Sequence, residues 1–578
     1  MQFTFDIHNA NQQYLQITAK IKVSKAQTQL FFPAWRPGRY ELGDFAKNVN
    51  HFQVLDEKKK PLSFEKTSKN SWFIQTKGVK EMTVKYSYYA ADLNAGSTYL
   101  DATQLYVNPV NCCVFTDETF NDPITVQLNI PDDWKIAHSL KGKGKKLEAK
   151  HYDELADSPF ICSADLQHNS YTVAGTQFHV WFNGIIKPDW KRLLQDFEGF
   201  TKAQIDKFGA FPSKEYHFLF QILPINAYHG VEHSKSTVIA FGPSYSVFEE
   251  NYKELLGVSS HELYHTWNIK AIRPKEMFPY DFKKENYSRL GYIAEGVTTY
   301  MGDLMLLKGG VFTIAQYLYE MDAQLQKHFD NFGRLNYSVA ESSFDTWLDG
   351  YVPGAPGRKV SIYTEGCLLA FIADVYIMKQ SKNKYSLDTL MRVMYEKYAL
   401  KGKGITEKDY QKEMEKLTGT SMQWYFDDYV NGTKSYREIL LTSFDYLGLT
   451  MSEFPLKSEF ASYYGGKLSE NTHPFITAIY PDSPLDLSGA MLGDQIMAIN
   501  GIAVNNNVDR WLRYFGKGKI KLTVLRKGVT LSLNMTTSNK KDQTKDVYYQ
   551  GYSVSLKPEL TQEERDALQV WVVASYRK

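Results

Sequence analysis

The five residues His261-Glu262-Leu263-Tyr264-His265 read H-E-x-x-H, and this pattern constrains the fold more than any other in the chain. Helical positions four apart are offset by about 40° and rise about 6 Å, so two imidazoles converge on one cation only if the segment is a helix. Tyr252, Leu255 and Leu256 before it, and Leu263 and Trp267 after it, fall at helical spacing and predict a buried amphipathic helix. Glu262 then lies beside the cation. Its carboxylate can take a proton from water whose pKa a zinc ion lowers to about 7. The alternative is a helix in which two histidines are satisfied core residues.

A catalytic zinc needs three protein ligands and an open position. Glu295 is the candidate third ligand. It sits in Gly291-Tyr292-Ile293-Ala294-Glu295-Gly296-Val297-Thr298-Thr299-Tyr300, a mostly apolar run where an unneutralised carboxylate would be costly to bury. The other roles open to it are a solvent-facing charge at a helix start and a pair with Arg289.

At 578 residues the chain is long enough for several domains. Lys plus Arg total 67 against 65 Asp plus Glu, a net charge of +2. That balance gives no basic field for nucleic acid or an anionic membrane surface. No apolar run approaches the roughly 20 residues of a membrane helix. The opening Met1-Gln2-Phe3-Thr4-Phe5-Asp6-Ile7 alternates like a strand and lacks the pattern of a signal peptide. The expectation is a cytoplasmic protein, or one whose signal peptide has been removed. The four cysteines, Cys112, Cys113, Cys162 and Cys367, have no zinc spacing and are too few for a disulfide scaffold, though a single Cys112 to Cys162 bridge stays open.

Hydrophobic periodicity divides the chain. Leu15, Ile17, Ala19, Ile21 and Val23 alternate, as do Met82, Val84, Tyr86 and Tyr88, and Ile124, Val126, Leu128 and Ile130, which predicts a β-sandwich-like domain over residues 1–172. Lys141 to Lys146 reads as a solvated hairpin tip. From the 190s the period turns helical, with Thr313 as N-cap for the face Ile314, Tyr317, Leu318, Met321 and Leu325. This predicts a catalytic α+β domain over 173–444, with a strand layer and ligand-bearing helices. Strands return beyond 445. Gly489-Ala490-Met491-Leu492-Gly493-Asp494-Gln495-Ile496-Met497-Ala498-Ile499-Asn500-Gly501 resembles the core of a PDZ domain, placed at 445–540, with 541–578 as a C-terminal extension. Gly465-Gly466-Lys467-Leu468 is its candidate carboxylate loop, less apolar than usual.

Ser260-His261-Glu262-Leu263-Tyr264-His265-Thr266-Trp267-Asn268-Ile269-Lys270, followed by Arg273-Pro274 and Ala294-Glu295-Gly296, resembles the M61 glycyl aminopeptidases, gluzincins related to the M1 aminopeptidases. Pro33-Ala34-Trp35-Arg36-Pro37-Gly38-Arg39-Tyr40, Ser343-Phe344-Asp345-Thr346-Trp347 and Tyr429-Val430-Asn431-Gly432-Thr433 are similar to further motifs of the family, so the resemblance runs over nearly the whole chain. It implies a multi-domain α+β architecture with a thermolysin-like catalytic domain and one zinc per chain on His261, His265 and Glu295. Glu262 would be the general base. Gly230-Val231-Glu232-His233 resembles the family's G-x-E-H element, which implies that Gly230 and Glu232 line the cleft and that Glu232 accepts hydrogen bonds from a substrate ammonium. Tyr363 occupies the position of a tyrosine that steadies the oxyanion, with Glu365 where the family commonly has Lys.

The activity implied is zinc-dependent removal of the first residue, small ones such as Gly or Ala preferred, from peptides with a free N-terminus. The alternatives are a thermolysin-type endopeptidase, and a peptide-binding or scaffolding protein that works through its PDZ-like domain.

Overall fold

Alternating apolar residues at the N-terminus pair into a seven-stranded sheet whose order is Lys141–Lys143, Lys146–Ala149, Ile124–Asn129, Gln2–Asp6, Tyr14–Lys22, Glu81–Tyr89 and Val49–Leu55. The computed structural model describes residues 1–516, 518–537 and 547–573. Phe3, Phe5, Leu15, Ile17, Val84, Val126 and Leu128 are inward members of that alternation and share one buried core. A four-stranded sheet (Lys135–His138, Phe160–Ser163, Gln104–Val107, Tyr99–Leu100) and a three-stranded one (Gln27–Phe31, Ser71–Gln75, Phe64–Ser68) complete this β-rich part. The lysine-rich segment forms the hairpin of Lys141–Lys143 and Lys146–Ala149, and Gly144 at φ 58° makes the turn. Cys112 and Cys162 are both buried and free, as are the other two cysteines; no bridge joins them.

The next layer is a mixed five-stranded sheet in the order Gln167–Val173, Thr176–Asn183, Glu215–Ile222, Ser236–Gly242 and Ala227–Glu232. Its last strand is an antiparallel edge. Helices follow: Trp190–Phe208, Tyr252–Tyr264, Thr298–Lys308, Ile362–Gln380 and Leu387–Lys397 are the ones that build the site. Asp189 caps the first of them by accepting a hydrogen bond from the Arg192 N–H, and Gly209 ends it in the left-handed region. The near-uniform burial of Ile362–Gln380 marks it as the central helix. Thr313 caps Ile314–Asp330 through the Gln316 N–H.

Two compact units result. One holds residues 1–317, 331–448 and 559–578, and the other holds 318–330 and 449–558. The β-rich and helical parts thus share one unit. The second unit has a four-stranded sheet ordered Ile502–Ala503, Gln495–Ile499, Lys519–Arg526 and Val529–Thr536, together with the hairpin Gly466–Leu468 with Ile476–Ile479 and the helix Val508–Phe515. Ile496, Ile499, Leu512, Leu522 and Val524 are among its core residues. The segment read as a C-terminal extension contributes the strand Gln550–Leu556, paired with Leu449–Pro455 in this unit. Its helix Gln562–Val572 belongs to the first unit, where the buried Trp571 donates to the Tyr300 hydroxyl at 2.9 Å. Residues 541–546 and 574–578 of that extension lie outside the described residues. Among the described residues no helix is long and apolar enough to cross a membrane.

Candidate active site

The H-E-x-x-H residues occupy the last turn of Tyr252–Tyr264, with His265 closing it in right-handed conformation. The helix is clamped at this end. Gln204 donates to the Ser260 carbonyl at 2.9 Å, and the Ser260 hydroxyl donates to the Gly302 carbonyl at 2.6 Å. A Cβ at Gly302 would lie 3.0 Å from the His261 Cα, so the helix Thr298–Lys308 packs tightly against the motif. His261 and His265 bring their Nε2 atoms to 3.0 Å. Glu295 Oε2 lies 3.4 Å from His265 Nε2 and 3.9 Å from His261 Nε2. Glu295 sits in a π-helical turn, Tyr292–Val297, that runs straight into Thr298–Lys308 and turns its carboxylate toward the two imidazoles.

Asn268 fixes the angles of His265 and of the segment that carries Glu295. Its carbonyl accepts from His265 Nδ1 at 2.9 Å, which leaves Nε2 free to ligate. Its side-chain amide donates to the carbonyls of Ile293 and Ala294 at 2.7 and 3.3 Å, beside Glu295. One residue therefore ties together the two segments that carry His265 and Glu295.

Glu232 ends the edge strand Ala227–Glu232 beside the same imidazole; Glu232, Glu262 and His265 bring one ligand atom each within 4.8 Å of one another. Behind it, Asp157 accepts from Lys270 at 2.7 Å, lies 3.1 Å from His233 Nδ1 and accepts from the Ser234 N–H at 2.9 Å, anchoring the turn that holds Glu232. Gly230 is needed for space, since a Cβ there would collide with the Glu262 carboxylate. From the β-rich part, Gly38 at φ 84° packs on Glu232 with no room for a Cβ.

Tyr363 stands in the first turn of Ile362–Gln380, half-buried, and borders a cavity of about 280 Å³ that Tyr351 and Ser361 also line. Its position relative to Glu295 is set by two glycines. A Cβ on Gly296 would strike the backbone of Gly366, so the π-helical turn and the central helix meet backbone to backbone. Glu365, where the resembled family commonly has Lys, is 2% exposed and pairs with Tyr436 instead of entering the cavity.

Two cleft residues lie in the N-terminal motif without having stood out in sequence. The Tyr40 hydroxyl donates to Glu295 Oε1 at 3.4 Å, and its ring packs edge-on against Trp347. Arg36 is 6% exposed with Nη1 unpartnered, a buried cation near Glu232. The available signal was their place in the Pro33 to Tyr40 segment; a contact 255 residues distant in sequence leaves no local pattern.

Three buried carboxylates dominate the electrostatics of the site. Glu232, Glu262 and Glu295 are 4%, 6% and 2% exposed, and Glu232 Oε1 and Glu262 Oε2 have no hydrogen-bond partner. Burial, reinforced by the Glu232 and Glu295 charges against the pull of His265 and Arg36, pushes the Glu262 carboxyl up to about 8. Burial depresses His265, but Glu295 above all overrides this and raises it to about 10. Burial and the neighbouring His265 hold His261 well below the usual imidazole range. Three buried carboxylates and two imidazoles are a donor set that fits a divalent cation and a substrate ammonium, with the Arg36 guanidinium a countercharge near Glu232.

Family models match at both ends of this site: the Peptidase M61 N-terminal domain over residues 2–164 and the M61 glycyl aminopeptidase over residues 254–369. The chain belongs to the M61 peptidase family. The second M61 match contains His261, Glu262, His265, Glu295 and Tyr363, and the first contains Arg36, Gly38 and Tyr40. No curated protein matches the chain in sequence. Among solved structures, the aminopeptidase N family protein from Idiomarina loihiensis is similar over 99% of this chain and 100% of its own, with a TM-score of 0.89 and 24% identity. An M1 zinc metallopeptidase from Deinococcus radiodurans is similar over 75% of this chain and 93% of its own, with a TM-score of 0.44 and 12% identity. This M61 chain is a peptidase.

Proposed function

We propose that the cleft removes the N-terminal residue from peptides with a free amine, using one zinc ion held by His261, His265 and Glu295. The observation that carries this reading is the convergence of those three ligands beside two buried carboxylates, Glu232 and Glu262, that each have an unpartnered oxygen. Zinc held there would supply Lewis acidity, which polarises a carbonyl and eases the ionisation of water. Glu262, free of any ligand role, takes the proton from the attacking water and returns it to the leaving amine. Glu232 accepts hydrogen bonds from the substrate ammonium, with Gly38 leaving space beside it and Gly230 beside Glu262, and so sets the register of the first peptide bond. Tyr363 donates a hydrogen bond to the carbonyl oxygen as negative charge grows on it. A preference for small first residues such as Gly or Ala accords with the glycyl aminopeptidase family.

The same reading makes residues 173–444 a thermolysin-like catalytic core and 445–540 a PDZ-like domain that takes an extended peptide by strand addition. Support for the latter is the short helix Val508–Phe515 beside a small antiparallel sheet, and Gly465 at φ 76° opening the strand Gly466–Leu468.

Hydrolysis of glycyl and alanyl chromogenic amides, free and N-acetylated, by protein with its metal content measured, tests the assignment. Cleavage of the free-amine substrates only, with about one zinc per chain, is the expected result. The Glu262→Gln variant should keep its metal and lose about 10²–10⁴-fold in kcat. Equal cleavage of the acetylated amides would show an endopeptidase, and metal-loaded protein without turnover would leave peptide binding as the function.

A further inference from the structure

Four of the chain's 13 histidines gather away from the cleft. His179 and His217 are direct partners on neighbouring parallel strands, and their rings stack at 4.6 Å and 14°. Glu215 lies on the same face two residues before His217, with Oε2 3.6 Å from His217 Nε2. On the other side His168 Nε2 lies 3.0 Å from His179 Nδ1. His138, at the end of Lys135–His138 in the adjoining four-stranded sheet, faces Glu215 and His217 with its Nδ1 unpartnered. His179, Glu215 and His217 each offer a ligand atom within 4.8 Å of the others.

The sheet itself separates this group from the cleft. Successive residues of a strand face opposite ways. Tyr216 reaches the Glu262 carbonyl at 3.5 Å, so His217 beside it points to the far side.

We propose that His179, Glu215 and His217 form a second metal site, for a borderline divalent cation such as zinc, nickel or copper, with His168 as the outer partner of His179. Two imidazoles and a carboxylate are the donors those ions take. Ligand bonds of about 2.0–2.2 Å place two donors no more than about 4.4 Å apart, so the side chains must draw in slightly; Glu215, 64% exposed, is free to do so. With a metal on His179 Nε2, the Nδ1–H donates to His168 Nε2, the outer hydrogen bond that orients a ligating imidazole. Burial holds His138, His168, His179 and His217 below the usual imidazole range, so their nitrogens need lose no proton near neutrality.

Trp181 opposes binding and also reports it. Its ring stacks on His168 at 3.9 Å, and its indole N–H donates to His217 Nδ1 at 3.3 Å, which puts the neutral ring's proton on Nε2. A metal on Nε2 shifts that proton to Nδ1, where it meets the indole N–H, and Trp181 must turn away. The site is therefore an exchangeable one, and filling it changes Trp181 fluorescence.

The test is titration of chelator-stripped full-length protein with Zn²⁺ and Ni²⁺, followed by calorimetry and tryptophan fluorescence. The native chain should bind one equivalent more than the His179→Ala variant. Glu215→Gln, at an exposed position that folding tolerates, should weaken that equivalent by about tenfold or more. Trp181→Phe should abolish the fluorescence change, and hydrolysis rates should be unchanged in the Glu215 variant. Equal stoichiometry and affinity in the native chain and in the Glu215 and His179 variants would overturn the proposal, whatever the cleft does.

Discussion

Glu295 shows how a single side chain is held for a task. Its Oε2 faces the two imidazoles while its Oε1 accepts from Tyr40, a hydroxyl 255 residues earlier in the chain. Groups that hydrogen-bond a metal ligand commonly set affinity by 10–100-fold. The Tyr40→Phe variant keeps the ring against Trp347 and removes only the donor. Zinc loaded into the proposed site should therefore be lost from this variant to a competing chelator at about tenfold lower chelator concentration, with little change in thermal stability. Unchanged chelator competition would reduce Tyr40 to a packing residue. His261, Glu262 and His265 stood out in sequence by residue type and short spacing, Glu295 as a lone acid in an apolar run, and Glu232 only through the family resemblance; the structure brings these five side chains together. Tyr40 and Arg36 did not stand out, because in a chain with 40 tyrosines nothing local distinguishes the one that meets Glu295.

Elements were legible where periodicity is strong. The alternating N-terminal strands and the helix carrying the motif follow directly from the apolar pattern. The π-helical turn at Tyr292–Val297 was not, since it differs from an α-turn by one extra residue per turn and has no composition of its own. Also hidden was the contact that turn makes, because Gly296 and Gly366 are 70 positions apart and neither flanks a turn signal. Because a Cβ at Gly296 would strike the Gly366 backbone, which cannot rotate aside, Gly296→Ala should force the central helix away from Glu295. The expected result is a loss of about 1–3 kcal/mol or more in urea unfolding together with a fall in kcat, since Tyr363 and Glu295 move apart. A variant of native stability and native rate would show that the two helices part without cost.

At the scale of the whole molecule, the helical half is joined by a buried charge cluster that no local pattern of residues singles out. Lys207 at the end of Trp190–Phe208 and Lys308 at the end of Thr298–Lys308 both reach Asp388 Oδ2, at 2.9 and 2.7 Å, in the first turn of Leu387–Lys397. All three are nearly inaccessible, with side chains 10%, 2% and 9% exposed. Burial alone would raise the Asp388 carboxyl, but the charges and hydrogen bonds of Lys308 and Lys207 prevail and bring it down to about 2. A carboxylate whose folded pKa lies below its unfolded value binds fewer protons in the native state. Its contribution is therefore complete above about pH 4 and is lost as pH falls toward 2. The difference corresponds to about 2 kcal/mol at neutral pH. Asp388→Asn leaves two lysines buried without a counter-charge and should be strongly destabilised at pH 7, by about 3–5 kcal/mol. The sharper measurement is the pH dependence: between pH 4 and pH 2 the native chain should lose urea resistance more steeply than the variant, so the gap between their midpoints narrows. A gap that stays constant across that interval would mean that Asp388 titrates alike in folded and unfolded chains, and that the three helix ends are joined by packing rather than by charge.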